Sequence, residues 1–100
     1  MIRHQMNAKE RIRMGTRQSI DHFLEQCEGA LRFAGFEYTE ASRQEHWDDE
    51  TYQSAQSYLE EAMRQMEPIY ASANPEQKER LQRMKGQLDL MRHDMITLRH

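Results

Sequence analysis

Apolar side chains return every three or four residues in three consecutive stretches of this 100-residue chain, and this spacing limits its fold more than any other feature. A period of that length places the side chains along one stripe of an α-helix. The most regular stretch steps by three and four residues in turn, through Tyr52, Ala55, Leu59, Ala62, Met66, Ile69 and Ala73. The pattern predicts three helices, each burying one stripe against the other two.

The other two stretches carry stripes of different composition. The first contains Ile20, Phe23, Leu24, Cys27, Ala30, Leu31, Ala34, Tyr38 and Ala41. The third contains only Leu and Met, at Leu81, Met84, Leu88, Met91, Met95 and Leu98. Gly29 and Gly35 interrupt the first stretch, and each costs about 1 kcal/mol relative to Ala inside a helix. We therefore expect the first helix to depend most on packing.

Local signals predict where the later helices begin and bend. Asn74 is a good N-cap, Pro75 suits the first helical position, and Gln77 completes a pattern like a capping box. Pro68 lies inside the second stripe, and the apolar phase continues beyond it. A proline there removes one backbone hydrogen bond. We predict a bend near Arg64, with no stop in the helix.

These signals predict an all-α fold, an antiparallel three-helix bundle with coiled-coil-like seams and helices at about 17–45, 49–73 and 75–98. The links between the helices are short, which forces neighbouring helices to run antiparallel. The chain has no Val and only four Gly and two Pro, which argues against a β-sheet. Because small Ala residues line the first two stripes, we expect that pair to pack closely, with the third helix laid into its groove.

Charge is spread unevenly along the chain. Residues 16–74 carry four basic and twelve acidic side chains, and residues 75–100 carry six basic and four acidic ones. The basic third segment is therefore expected to lie against two acidic ones. An acidic body argues against nucleic-acid binding, which depends on clustered Lys and Arg. A third hypothesis would nevertheless place nucleic-acid binding on the third helix together with a genuine basic N-terminus, through Lys78, Arg80, Arg83 and Lys85.

Residues 1–13 are basic and lack clear apolar spacing, so the bundle domain is predicted to span 14–100. Lys9, Glu10 and Arg11 can be encoded by codons that resemble a bacterial ribosome-binding site, just upstream of Met14. Translation would then start at Met14, and the first thirteen residues would be an annotation artefact. The alternative is a genuine flexible basic tail. The intact mass of the native protein distinguishes the two.

The stretch Glu45–Glu50 has the most chemical character. His46, Asp48 and Asp49 are candidates for binding a divalent cation, and a cation-binding or enzymatic role at this turn is the alternative function. Their spacing matches no zinc or calcium loop, however, and there is no Gly turn of the EF-hand kind. The favoured interpretation is structural: an interhelical turn, followed by an N-cap from Asp48 or Asp49.

No catalytic, cofactor or nucleotide motif is apparent, so we predict a non-enzymatic module for protein–protein interaction. Tyr58, Met63 and Tyr70 flank the second stripe and are candidates for a partner surface, because Met and Tyr suit adaptable interfaces. They could instead widen the stripe that the third helix covers, or allow a homodimer. Cys27 is the only cysteine and is predicted to be a buried thiol. No apolar run is long enough for a membrane span.

Three short segments resemble a known family. Ser42-Arg43-Gln44-Glu45-His46-Trp47, Ser72-Ala73-Asn74 and Asp94-Met95-Ile96 are similar to segments of the YtzC-like family, small uncharacterised proteins of spore-forming bacilli. The resemblance covers about residues 14–100. It implies a soluble bacterial protein of the cytoplasm, and it transfers no functional residue.

Overall fold

The computed structural model describes residues 17–43 and 48–98, with side chains from Ser19 onward. Within these ranges the chain forms three α-helices and no strand: α1 at Arg17–Arg43, α2 at Asp49–Ala71 and α3 at Pro75–Thr97. The predicted all-α three-helix bundle is therefore confirmed. Residues 1–13 and His46 lie outside the described residues.

Contacts between the helices show that they run up, down and up. Near the starts of α1 and α3, Arg80 donates to the Asp21 carboxylate at 2.9 Å. At the other end of the bundle, Tyr52 at the start of α2 bonds the backbone near the end of α3. Midway, Arg92 pairs with Glu60 of α2 at 3.3 Å. The basic third segment therefore contacts both acidic ones, as its charge predicts.

The predicted stripes form the core. Residues at most 7% exposed come from all three helices: Ile20, Phe23, Cys27, Ala34, Ala41, Tyr52, Ala55, Leu59, Met66, Ile69, Leu81, Met84, Leu88 and Met95. Every other member of the three predicted stripes is half-buried against this cluster. The most extensive backbone contact is between α1 and α2, as expected from their Ala residues. Large side chains of α3 fill one side of that pair.

The chain reverses between α2 and α3 in three residues, Ser72 to Asn74. Asn74 is the N-cap of α3: its side chain accepts from the Gln77 N–H at 2.8 Å, and Gln77 accepts from the Asn74 N–H at 2.9 Å. The predicted capping box is therefore confirmed. Because Asn74 must be extended, with ψ at 172°, α2 ends at Ala71, two residues before its predicted end.

Two expected weak points do not interrupt their helices. α1 is continuous through Gly29 and Gly35. α2 runs through Pro68 for three more residues, with Ile69 buried beyond it. The predicted absence of a stop at Pro68 is confirmed, and the bend near Arg64 stays a prediction. Among the described helices, none combines the length and the apolarity needed to cross a membrane.

Candidate functional site

A groove of about 410 Å³ lies between α1 and α2, and α3 contributes nothing to its lining. We call it the outer groove. Gly29, Ala30 and Ala62 lie along it, and their small side chains leave space between the two helices. Phe23, Phe33 and Tyr58 supply aromatic surface, and Gln26, Glu61 and Gln65 supply polar groups. The result is an open apolar channel with a mostly uncharged polar rim.

An aromatic pair forms one wall of the outer groove. The ring centroids of Phe33 and Tyr58 are 5.4 Å apart, and the rings are tilted by 60°. This is a favourable geometry for an aromatic pair. Tyr58 nevertheless remains 59% exposed, and Phe36, one turn further along α1, is 61% exposed. Aromatic surface of this kind is enriched at protein interfaces.

The polar rim of the outer groove is ordered by side-chain hydrogen bonds. Gln65 donates to the Glu61 carboxylate at 2.9 Å, and Arg64 also donates to it. The bond from Gln65, together with the bond and the charge of Arg64, lowers the pKa of Glu61. Glu61 is therefore ionised at neutral pH, and its side chain is held at the rim.

Most of the described cationic side chains are already in ion pairs. Beyond the two pairs that join α3 to its neighbours, the pairs are Arg43–Glu40 at 3.8 Å, Arg64–Glu61, Arg83–Glu79 at 3.9 Å and Lys85–Asp89 at 3.5 Å. Among the described Lys and Arg side chains, only Arg32 and Lys78 have no carboxylate partner. The ammonium of Lys78 lies 5.2 Å from the centre of the Tyr70 ring.

Carboxylates remain in excess on α1, on α2 and at the cap between them. On these two helices and at the cap, seven of the described carboxylates have no ion-pair partner: Glu25, Glu28, Glu37, Asp48, Asp49, Glu50 and Glu67. Among the described side chains of the same two helices, Arg32 is the one unpaired cation. The surface formed by α1 and α2 is therefore anionic, whereas the charges of α3 are largely neutralised within the protein.

The structure separates the three residues predicted as a partner surface. Tyr58 lines the outer groove. Tyr70 lies in a smaller groove of about 250 Å³ between α2 and α3, where its hydroxyl donates to Gln82 at 3.4 Å. Met63 is half-buried against the core, about 140° around α2 from Tyr58 at 100° per residue. The three do not form one continuous patch, and a partner role for each of them stays a prediction.

The predicted cation candidates that the structure describes serve to start α2. The carboxylate of Asp48 accepts from the N–H groups of Glu50 and Thr51 at 3.1 and 3.3 Å. It also accepts from the Thr51 hydroxyl at 2.9 Å, and this bond contributes most to lowering the Asp48 pKa. Asp49 accepts from Gln53 at 3.4 Å. Apart from His46, which lies outside the described residues, these groups therefore have structural roles.

No metal or nucleophile site emerges from the part of the chain that the structure describes. It brings no three His, Cys, Asp or Glu side chains together in a way that could hold a metal ion. Cys27 is fully buried, as predicted. Burial, with the nearby Glu28 charge, raises the pKa of its thiol to about 11. The thiol therefore stays protonated at neutral pH, when it is a poor nucleophile.

The four candidate nucleic-acid contacts on α3 are engaged within the protein. Arg80 pairs with Asp21, Arg83 with Glu79, and Lys85 with Asp89. Lys78 lies against the Tyr70 ring. Little free positive charge therefore remains on these four side chains for a phosphate backbone, and the expectation that nucleic acid is not a partner stays a prediction.

Sequence reasoning did not predict the outer groove. The sequence marks Gly29 only as a weak point in α1, and Phe33 and Phe36 fall outside the predicted stripe. These two aromatic residues were the sequence signal for the groove. They place large apolar side chains on α1 outside the buried stripe, where a further surface is needed to cover them. The position of Tyr58 beside Phe33 depends on the packing of α1 against α2, which the spacing alone does not give.

Comparisons with known proteins give a family and one similar protein. The family described as "Protein of unknown function (DUF2524)" matches residues 14–97. The uncharacterized protein YtzC of Bacillus subtilis strain 168 is 41% identical over 83 residues, which cover 83% of this chain and 92% of that protein. No solved structure matches the chain.

Proposed function

This chain belongs to the DUF2524 family, and we propose that it works as a small non-enzymatic module that binds a helical segment of another protein in the outer groove. The observation that carries the proposal is an open apolar channel beside an exposed tyrosine. We further propose that it acts in the bacterial cytoplasm, since its single cysteine has no partner for an internal disulfide.

The packing of the bundle itself supports a helical ligand. Two packed helices form a groove on each side of their contact. α3 fills the inner groove of the α1–α2 pair with Leu81, Leu88 and Met95. The outer groove has the same kind of floor, with Ala30 and Ala62, but none of the described residues covers it. An amphipathic helix that places apolar residues at three- and four-residue spacing would fit such a surface.

The charge of the groove-bearing surface favours a different protein over a second copy of this chain. Two copies that met through α1 and α2 would bring two anionic surfaces together. Like charges facing each other oppose association. The occupant is therefore proposed to be a segment of another protein.

A matched pair of glycine substitutions tests the proposal. Gly29→Leu places a side chain in the outer groove. At that position a Cβ would meet only the end of the Arg32 side chain, at 3.9 Å, which is an ordinary contact. Gly86→Leu adds the same side chain to the exposed face of α3, where a Cβ would meet nothing within 4 Å. Both changes raise helix propensity, so both variants are expected to fold.

The readout compares proteins captured from a bacterial lysate by the native chain and the two variants, after circular dichroism has shown that all three fold. We expect at least one protein to bind the native chain and Gly86→Leu but not Gly29→Leu. Capture that is equal for all three chains, or absent for all three, would contradict a role for the outer groove.

A further inference from the structure

We propose that the occupant of the outer groove is a cationic amphipathic helix, with Lys or Arg on both sides of its apolar ridge. This inference rests on the proposed function and adds the chemical class of the partner. It is carried by the charges that the folded chain leaves without partners on α1 and α2.

Carboxylates follow the line of the outer groove. Glu61 lies in its wall. Glu37 is one turn beyond Phe33 and so continues the same face of α1. Glu50 is eleven residues before Glu61, which at 100° per residue directs it to nearly the same side of α2. A helix lying along the groove would therefore pass two unpaired carboxylates, Glu37 and Glu50, and Glu61, which Arg64 partly neutralises.

Cations at the outer groove are fewer and partly occupied. Arg64 is bound to Glu61, so it has little charge to offer a ligand. Arg32 is unpaired, and its guanidinium lies near Gly29. With Glu25 and Glu28 also unpaired on α1, the field over the groove remains negative. A field of one sign attracts a ligand of the opposite sign and speeds its association.

The chain itself offers no suitable occupant among its described surfaces. On the outer face of α3, Arg83 and Lys85 are neutralised by Glu79 and Asp89. Leu90, at 62% exposure, and Ile96, at 48%, are the large exposed apolar side chains between them and the end of the helix. At 100° per residue the two lie about 120° apart around α3, so a second copy docking through this face would bring no continuous apolar ridge and only neutralised cations. Compared with this described face of α3, a foreign helix suits the charge and the shape of the groove better.

The test uses two synthetic peptides of about 18 residues, or five helical turns. Both carry Leu at identical i, i+3, i+4 and i+7 positions, and the flanking positions are all Lys in one peptide and all Glu in the other. Each peptide is labelled with fluorescein, and binding to the full chain is measured by anisotropy at physiological ionic strength. We expect the Lys peptide to bind at least about 10-fold more tightly than the Glu peptide, a difference of about 1.4 kcal/mol. Gly29→Leu is expected to lower the affinity for the Lys peptide by a similar factor, and Gly86→Leu is expected to leave that affinity unchanged.

A pair of charge variants separates the groove from the general surface. Glu37→Gln, on the groove line, should lower the affinity for the Lys peptide by about 2- to 3-fold, which is the effect expected from the loss of one exposed charge pair. Glu67→Gln removes an equally unpaired carboxylate from the other side of α2, in the smaller groove. It should leave the affinity for the Lys peptide within error of the native chain.

The outcomes distinguish this inference from the proposed function. If both peptides bind equally and Gly29→Leu weakens both, the groove function stands and the cationic partner is wrong. If the Lys peptide binds native chain, Gly29→Leu and Gly86→Leu equally, the binding is surface attraction, and both proposals are wrong. Failure of both peptides to bind overturns the cationic-helix inference. Self-association that Gly29→Leu abolishes in sedimentation would make a second copy the occupant and would overturn both proposals.

Discussion

The hydroxyl of Tyr52 donates to the backbone carbonyl of Met95 at 2.7 Å, inside the core. The bond joins the first turn of α2 to the last turn of α3, 43 residues away in sequence. Both residues belong to the apolar stripes, with Tyr52 5% and Met95 1% exposed. A phenol at this position therefore packs as a core side chain and also holds one end of the bundle together.

Tyr52→Phe is expected to lower the free energy of unfolding by about 1 kcal/mol, because it removes a buried hydrogen bond and keeps the ring. Urea unfolding followed by circular dichroism measures the change. Tyr58→Phe is the matched control, since Tyr58 is largely exposed and should lose little. Equal effects of the two substitutions would show that the bond to Met95 contributes nothing to stability.

Gly35→Ala and Gly86→Ala are each expected to stabilise the protein by about 1 kcal/mol. Both glycines lie inside helices, and a Cβ at either position would meet nothing within 4 Å. Alanine then gains helix propensity without a clash. The two sites are on different helices, so the double variant should show the sum of the effects in thermal unfolding. A loss of stability in either single variant would mean that the chain needs the glycine there.

Asn74→Ala is expected to cost about 1 kcal/mol, since it removes the N-cap of α3 and breaks one half of the capping box. Chemical denaturation measures the loss. Asn74→Asp is the control, because aspartate keeps the accepting oxygen and suits the positive end of the helix dipole. A stability loss for Asp as large as that for Ala would contradict the capping role.

Alkaline pH is expected to destabilise the native chain through Cys27. Burial raises its pKa from 9.0 to about 11, so the unfolded thiol ionises first as pH rises. The contribution of the protonated Cys27 thiol to the free energy of unfolding is fully present below pH 9. It falls by roughly 2 kcal/mol between about pH 9 and 11. Urea unfolding at pH 8 and pH 11 measures this loss in the native chain and in Cys27→Ala. The variant should decline less between the two values, and identical declines would contradict the shift.

The helices and the core were predictable because both depend on short-range spacing. The stripe through Leu59 and Met66 and the signal at Asn74–Gln77 are local features, and each is found where the sequence predicts it. The end of α2 was less predictable. Ala73 keeps the apolar phase and packs on the core, but it does so from the turn, since Asn74 needs an extended backbone.

The candidate site was predictable only in part, because it depends on how two helices meet. Tyr58 was a candidate from its position beside the stripe. Its pairing with Phe33, and the channel along Gly29 and Ala62, follow from the packing of α1 against α2. The grouping of Tyr58 with Tyr70 does not follow, because the two residues line different grooves.

The ion pair between Asp21 and Arg80 supports an alignment that the apolar core alone does not define. The apolar positions of α3 repeat every seven residues, so a shift by one heptad would still present Leu or Met to α1. Such a shift would bring Gln87 or Ala73 opposite Asp21, and neither carries a positive charge. The short turn and the capping box at Asn74 already oppose this shift, and the exposed ion pair adds a small penalty against it from the side of α1.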